Sequence, residues 1–333
     1  MSYRQLTVSE VCDRLQTYGS VRLLMHSSPD GDTFGSCMAL YHVLTDMSKK
    51  AYIVYPDSKF PSHLVPFASC EVFSGDEAEG IECDATVSVD VASPSQLRDN
   101  YDRYKDSISL MIDHHRNGTP MADHLIRPDA AAVGEIVMDI CDELVRRGSI
   151  RAISREAAEA IYLSISSDTG CFKYSNTTAH THRCAARLIE MGVDAAAINQ
   201  GYFDSKSPLQ IEAEKITYNN IRILLGGRFA VCALDKETKR GIENENFENA
   251  VNIVRSVKGS IVGCTIKEKD DTPGSFRVSL RTTANTGVDV SEICAHFGGG
   301  GHVCAAGCAV DAENIEAALS LITQKVKEAI GNG

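Results

Sequence analysis

Apolar and polar positions recur along the chain with two periods, and the switches between them mark out its elements. The segments "SVRLLM" (20–25) and "KAYIVYP" (50–56) are short apolar-rich runs of strand length. In "ATVSVDVA" (85–92), period two sets Val87, Val89 and Val91 on one face. The near-continuous "ISLMIDHH" (108–115) reads as a strand buried on both sides. Helical spacing predicts a helix from near Thr33, one in "DAAAVGEIVMDICDELVRRG" (129–148) closing on Gly148, and one in "SREAAEAIYLSISSDTG" (154–170). Ser154 is the expected N-cap of the last, with Glu156 in its first turn. An amphipathic helix is expected within the first twenty residues. Strands alternating with helices in this way predict an α/β fold built on a parallel sheet.

From about Ile198 to Tyr218 the pattern turns polar and helical around "YFDSKSPLQ", which reads as a linker. Beyond it, strand-like runs return in 221–234, 260–268 and 275–283, followed by "GVDVSEICAHFGGGGHVCAAGCAV" (287–310) and a final helix. This is a smaller mixed α/β domain. Cys304 and Cys308 are placed four apart on a helix and read as packing residues.

Composition narrows the possibilities. A length of 333 residues suits two ordinary domains. The longest apolar run falls short of a membrane span, the first residues lack a secretory apolar stretch, and the twelve Cys show no CxxC pairing. A cytoplasmic protein with reduced thiols is expected, with no membrane partner. The net charge of −12 argues against a groove for long nucleic acid, because phosphate neutralisation supplies most of that affinity. Short single-stranded RNA or single nucleotides suit it better.

The candidate chemistry sits where the strands end. The first strand delivers His26, then Asp30 and Asp32 in "HSSPDGD"; the third predicted strand delivers Asp90; the fourth delivers Asp113, His114 and His115; and the loop after the helix that begins at Ser154 delivers Asp168. Each has an ordinary explanation singly, as a turn residue or a cap. In an open parallel sheet, however, the carboxyl ends of the strands line one crevice, which gathers all of them. Four or five carboxylates there repel one another unless cations relieve the repulsion. Oxygen donors mixed with imidazole suit Mn2+, with Mg2+ as the alternative. The ligand count exceeds one ion's needs, so two divalent ions about 3.5–4 Å apart, bridged by a shared Asp, are expected; such a pair activates water for phosphate ester hydrolysis.

In the second domain, period two in "FRVSLRTT" places Phe276, Val278 and Leu280 on one face and Arg277, Ser279 and Arg281 on the other. Arg281 is suited to a bidentate phosphate contact. Gly299, Gly300 and Gly301, with His302 at an expected helix start and small Ala305 and Ala306 after it, read as an anion nest. A clamp follows, in which one domain cuts and the other holds the far end of a short substrate. His180 and His182 read as surface residues at a helix start.

The motifs "HSSPDGD", "VSVD", "DHH" and "SSDTGCFKYSNTT", with "VSLRTT" and "FGGGGHVCAAG" further on, resemble those of the DHH phosphoesterases and their associated C-terminal domain. The resemblance spans the chain and implies a catalytic domain over 1–197, a linker over 198–218 and a substrate-binding domain over 219–333. The nearest likeness is to the small nano-RNases and pAp phosphatases. It implies hydrolysis of two-to-five-nucleotide RNAs, linear dinucleotides and 3′-phosphoadenosine 5′-phosphate. Carried over by motif, one ion takes His26, Asp30 and Asp90; the other takes Asp32, Asp90, His114 and Asp168, with Asp90 bridging. His115 would act as donor to the scissile phosphate, with Asp113 orienting the imidazoles. Two departures stand out: Gly118, preceded by Asn117, replaces the family's usual Asn, and "AAAV" (130–133) replaces a hydroxyl-rich stretch. Arg116 offers a substitute phosphate contact. Other readings are a cyclic-dinucleotide phosphodiesterase, a family-II inorganic pyrophosphatase, which the "GGGGH" stretch argues against, and a silent nucleotide sensor. A homodimer through the first domain is the favoured assembly.

Overall fold

Residues 3–56, 59–283 and 286–331 are described by the computed structural model, so the outermost residues of the two expected domains, 1 and 333, lie outside it. The chain divides into two compact units, Met1–Ser205 and Lys206–Gly333.

In the first unit, strands β1 (Ser20–Leu24), β2 (Lys50–Tyr55), β3 (Val72–Ser74), β4 (Ala85–Val89), β5 (Ile108–Asp113) and β6 (His124–Ile126) form one sheet in the order β3-β2-β1-β4-β5-β6. Every pairing is parallel. The order reverses between β1 and β4, and in a sheet of this kind the crevice beyond the carboxyl ends of those two strands is where ligands bind. The helices are α1 (Val8–Thr17), α2 (Gly31–Asp46), α3 (Asp99–Tyr104), α4 (Val133–Arg146), α5 (Arg155–Asp168), α6 (Ala179–Glu190) and α7 (Ala195–Asn199), the last running into a π-helical turn over Gln200–Asp204. Helices α1, α2, α4 and α5 cover one face, where Leu15, Phe34, Leu40, Val87, Val89, Leu110, Ile112, Ile136 and Ile161 form the main core. Leu24, Val54, Val91, Leu97, Tyr104 and Met111 form a smaller core on the other.

Four expectations change here. Strands β3 and β6 were not foreseen: at three residues each, they are too short to carry a period. Val91 does not share the face of Val87 and Val89, because Asp90 has φ +59° and turns the chain over at the end of β4. Helix α4 starts at Val133, not within 129–132, and Asp168 is the last residue of α5, not a loop residue. Gly148 does follow α4 with φ +71°, and Ser154 occupies the N-cap of α5 without a side-chain capping bond.

The second unit begins with α8 (Pro208–Asn219), so the segment read as a linker is largely helical. Strands β7 (Ile221–Leu224), β8 (Phe229–Leu234), β9 (Val262–Glu268), β10 (Ser275–Thr282), β11 (Gly300–His302) and β12 (Ala305–Asp311) form a mixed sheet in the order β11-β12-β10-β9-β8-β7. Only β8–β9 is parallel. Short helices α9 (Lys236–Lys239), α10 (Ala250–Arg255) and α11 (Val290–Ala295) precede the long α12 (Ile315–Gly331). The helix expected at 302–308 is a β-hairpin instead. Ala306, Cys308 and Val310 alternate inward with period two, a pattern that small residues concealed. Cys308 is buried, and all twelve cysteines are free thiols. No described helix is long and apolar enough to cross a membrane.

Candidate metal centre

Strand β1 ends at Leu24, and His26 stands two residues beyond it. Its backbone N–H faces the Thr33 hydroxyl at 3.5 Å, and its Nδ1 meets the carbonyl of Ser27 at 2.9 Å, which leaves Nε2 for the crevice. The chain then enters α2. Asp30 is the N-cap, and its Oδ1 accepts from the backbone N–H of Asp32 and Thr33 at 3.0 and 3.2 Å. Asp32 sits in the first turn and is buried. Asp90 follows β4 in the left-handed region, a conformation that non-glycine residues hold only where their surroundings enforce it. Asp113 ends β5 and is followed by His114 and His115.

These side chains converge in two groups that share one member. His26 Nε2 lies 3.6 Å from Asp30 Oδ1 and 3.5 Å from Asp90 Oδ2. His114 Nε2 lies 3.6 Å from Asp32 Oδ2, 3.6 Å from Asp90 Oδ1 and 3.8 Å from Asp168 Oδ2. In each of the sets His26–Asp30–Asp90 and Asp32–Asp90–His114, the candidate ligand atoms lie within 4.8 Å of one another, near enough to share an ion. Asp90 Oδ2 faces His26, and its Oδ1 faces His114 with His115 Nδ1 3.4 Å from the same oxygen.

The surroundings hold these groups in place. Asp32 Oδ1 accepts from the hydroxyls of Ser164 (2.5 Å) and Ser36 (3.1 Å), and its Oδ2 accepts from the backbone N–H of Val133 (2.9 Å). His114 Nδ1 meets the Ala130 carbonyl at 3.1 Å, and Asn176 donates to Asp168 Oδ2 at 3.3 Å and to the Ala131 carbonyl at 3.0 Å. The "AAAV" stretch therefore serves the site through its backbone, by the carbonyls of Ala130 and Ala131 just ahead of α4 and the N–H of Val133 at its first residue. Asp113 Oδ1 accepts from the backbone N–H of His114 (2.8 Å) and His115 (3.2 Å) and pairs with His115 Nδ1 (2.7 Å). It thus pairs with the ring of His115 and holds the backbone of His114, whose ring meets the Ala130 carbonyl through Nδ1.

Electrostatics favour a cation here. Burial alone would lower the His26 and His114 imidazoles, but the carboxylates around them outweigh it and raise both. Burial, joined by the neighbouring Asp90, pushes the Asp32 carboxyl well above the usual carboxylate range. Asp90 Oδ1 is buried without a hydrogen-bond partner among the described residues, a cost that an oxygen-seeking cation would remove. The donor set therefore fits divalent ions.

Sequence reading missed Ser36, Ser164, Asn176 and Tyr202. Ser36 and Ser164 are polar residues on otherwise apolar helix faces, and that misfit was the available signal. Of the predicted contacts, Arg116 is exposed. At Gly118 an added Cβ would stand 3.2 Å from the Ala92 carbonyl and 3.3 Å from Asp113 Oδ2, so the space for a larger side chain is tight.

The remaining candidates lie in the second unit. Arg281 on β10 and His302 on β11 both pair in register with Ala305 of β12, which puts them on one rung and one face of the sheet. The Arg281 guanidinium donates to the Leu280 carbonyl at 3.0 Å. Gly299 packs so closely that a Cβ would lie 2.2 Å from the Gly307 carbonyl, while Gly300 and Gly301 pair with Gly307 and Ala306. The glycines thus build an edge strand rather than a nest at a helix start, and half of that strand's backbone groups point away from β12.

Residues 20–165 match the DHH family, N-terminal domain, and residues 226–328 match the DHHA1 domain. A bifunctional oligoribonuclease and PAP phosphatase NrnA of Thermus thermophilus is 27% identical over 323 residues, covering 96% of this chain and 93% of that protein. The protein of the same name from Bacillus subtilis is 25% identical over 307 residues, covering 91% and 93%. Among solved structures, an exopolyphosphatase-related protein from Bacteroides fragilis superposes with a TM-score of 0.87 at 23% identity, covering 98% of this chain and 96% of that one. RecJ in complex with Mn2+ from Thermus thermophilus gives 0.54 at 13% identity, covering 98% and 55%. At these identities the two structures speak to the fold.

Proposed function

Because this chain carries a DHH family N-terminal domain followed by a DHHA1 domain, we propose that it is a metal-dependent phosphoric ester hydrolase of short oligoribonucleotides, linear dinucleotides and 3′-phosphoadenosine 5′-phosphate. The observation that carries the reading is the pair of ligand sets joined at Asp90. The names of the curated relatives supply the substrate class.

His26, Asp30 and Asp90 would hold one divalent ion; Asp32, Asp90, His114 and Asp168 would hold the second. Mn2+ suits the mixed imidazole and carboxylate donors, with Mg2+ as the alternative. When bound, such ions activate water and stabilise the oxygens of a phosphoryl group in displacement. The chain's own residues do the rest. Asp113 engages Nδ1 of His115 and fixes its ring, so Nε2 is the nitrogen that donates to the scissile phosphate. Burial pushes the Asp113 carboxyl up, but its pairing with His115 outweighs burial and holds it below the ordinary carboxylate value, so it can sustain a protonated His115. In the second unit, Arg281, His302 and the edge-strand backbone of Gly300 and Gly301 would supply donors to the distal phosphate of a substrate, while the Gly299 N–H is held by the Cys294 carbonyl.

Purified protein supplied with Mn2+ is expected to hydrolyse 3′-phosphoadenosine 5′-phosphate and a diribonucleotide, to stop on chelation and to recover when Mn2+ is restored. Turnover of neither substrate would leave a silent nucleotide sensor as the better account. In the same assay, Arg281→Ala is expected to raise KM about tenfold or more with kcat little changed, the cost of one charge-assisted contact. A fall in kcat alone would remove Arg281 from the substrate-holding role.

A further inference from the structure

We propose that Tyr202 is a positioning residue for the metal loop, holding the backbone of Gly31 and thereby setting the carboxylates of Asp30 and Asp32. The inference rests on the metal-site reading above. Tyr202 lies in the π-helical turn Gln200–Asp204, an uncommon form that tends to occur at functional sites. Its hydroxyl accepts from the Gly31 backbone N–H at 3.0 Å. Gly31 is the single residue between Asp30 and Asp32, so this bond holds the Asp30–Gly31 peptide directly and the Asp32 carboxylate through the next one.

Packing shows the contact to be a built one. A Cβ on Gly31 would lie 2.5 Å from Ser167 Cβ and 3.1 Å from the Tyr202 ring, so the glycine is clasped between α5 and the tyrosine. The ring is itself held by His63, Phe67 and Phe203, with centroids 5.9, 6.1 and 4.9 Å away. The two carboxylates differ in how much they depend on this clasp. Asp32 is fixed by Ser36, Ser164 and the Val133 N–H. The Asp30 side chain is half exposed, and its placement follows the first turn of α2. Loosening Gly31 therefore acts mainly on the set His26–Asp30–Asp90. Tyr202 also stands three residues before the end of the first unit, so the segment that leads into the second unit is tied to the metal loop.

The test is an Mn2+ titration of the full chain, read by calorimetry and by electron paramagnetic resonance, for wild type, Tyr202→Phe and Ile140→Val. The last is a methylene deletion in the core of α4 that serves as a control for general loss of stability. Wild type is expected to bind two ions. Tyr202→Phe is expected to hold one as wild type does and the other about tenfold more weakly, the scale of effect for groups that orient ligands. Ile140→Val is expected to match wild type at both. If Tyr202→Phe binds both ions as tightly as wild type, or weakens them no more than Ile140→Val does, the positioning role is overturned while the metal reading stands. If wild type binds no Mn2+, the metal reading itself falls, and this inference with it.

Discussion

Replacing Asp90 by Asn is expected to lower hydrolysis of every substrate by about 10³-fold or more and to abolish paired Mn2+ binding, with the fold intact. Asn keeps the shape of Asp and tolerates the left-handed conformation that position 90 requires, where Ala would add backbone strain. The change removes the carboxylate that, among the described residues, faces both His26 and His114. Without it, neither ligand set is complete, and on the proposed two-ion reading a contribution of about several kcal/mol to the transition state would be lost. Circular dichroism and melting temperature report folding, while turnover of 3′-phosphoadenosine 5′-phosphate reports function. Retention of more than about a tenth of wild-type activity by a folded Asp90→Asn protein would rule out Asp90 as the shared ligand.

The largest expected effect on stability comes from Gly35→Ala. Helix propensity alone favours this change by up to about 1 kcal/mol, because Gly in a helix interior is costly. Packing opposes it. A Cβ at position 35 would lie 2.5 Å from the Ala160 carbonyl oxygen and 2.9 Å from the Ser164 backbone nitrogen. Both are backbone atoms of α5, so no rotamer change relieves the clash and the two helices must move apart. Overpacking of this kind costs about 1–3 kcal/mol, and its upper end applies where backbone meets backbone. A net loss of about 2 kcal/mol corresponds to a melting temperature about 4–8 °C lower for a unit of this size. Since Ser164 also hydrogen-bonds Asp32, metal affinity is expected to fall as well. A melting temperature equal to or above that of wild type would mean that α2 and α5 do not touch at Gly35.

Much of the centre was legible residue by residue. His26, Asp30, Asp32, Asp90, His114 and Asp168 could be named because each stands at or near the end of a predicted element, and a parallel sheet has one place to put such ends. The supporting groups were harder to see. Ser164 carries no motif of its own and matters because α5 packs on α2. Asn176 stood within a recognised motif without a stated task. The Ala130–Val133 segment acts through carbonyl and amide groups that every residue possesses, so side-chain identity could not reveal it. The hairpin at Gly300–Asp311 was misread as a helix because Gly and Ala leave faint periodicity, although Ala306, Cys308 and Val310 did alternate.

By itself the sequence determined which residues must be buried and which segments alternate, because period two and helical spacing follow from backbone geometry and need no partner. From that came the parallel sheet, the edges where chemistry gathers and the excess of acid over any single ion's need. What only the tertiary structure decided was mutual orientation: that Asp90 turns through a left-handed backbone to face two imidazoles at once, that Asp113 pairs with the ring of His115 while the His114 ring meets the Ala130 carbonyl, and that Tyr202 reaches back to Gly31. Such contacts join residues far apart in the chain at distances of about 3 Å, and no local pattern encodes a distance that depends on how whole helices pack.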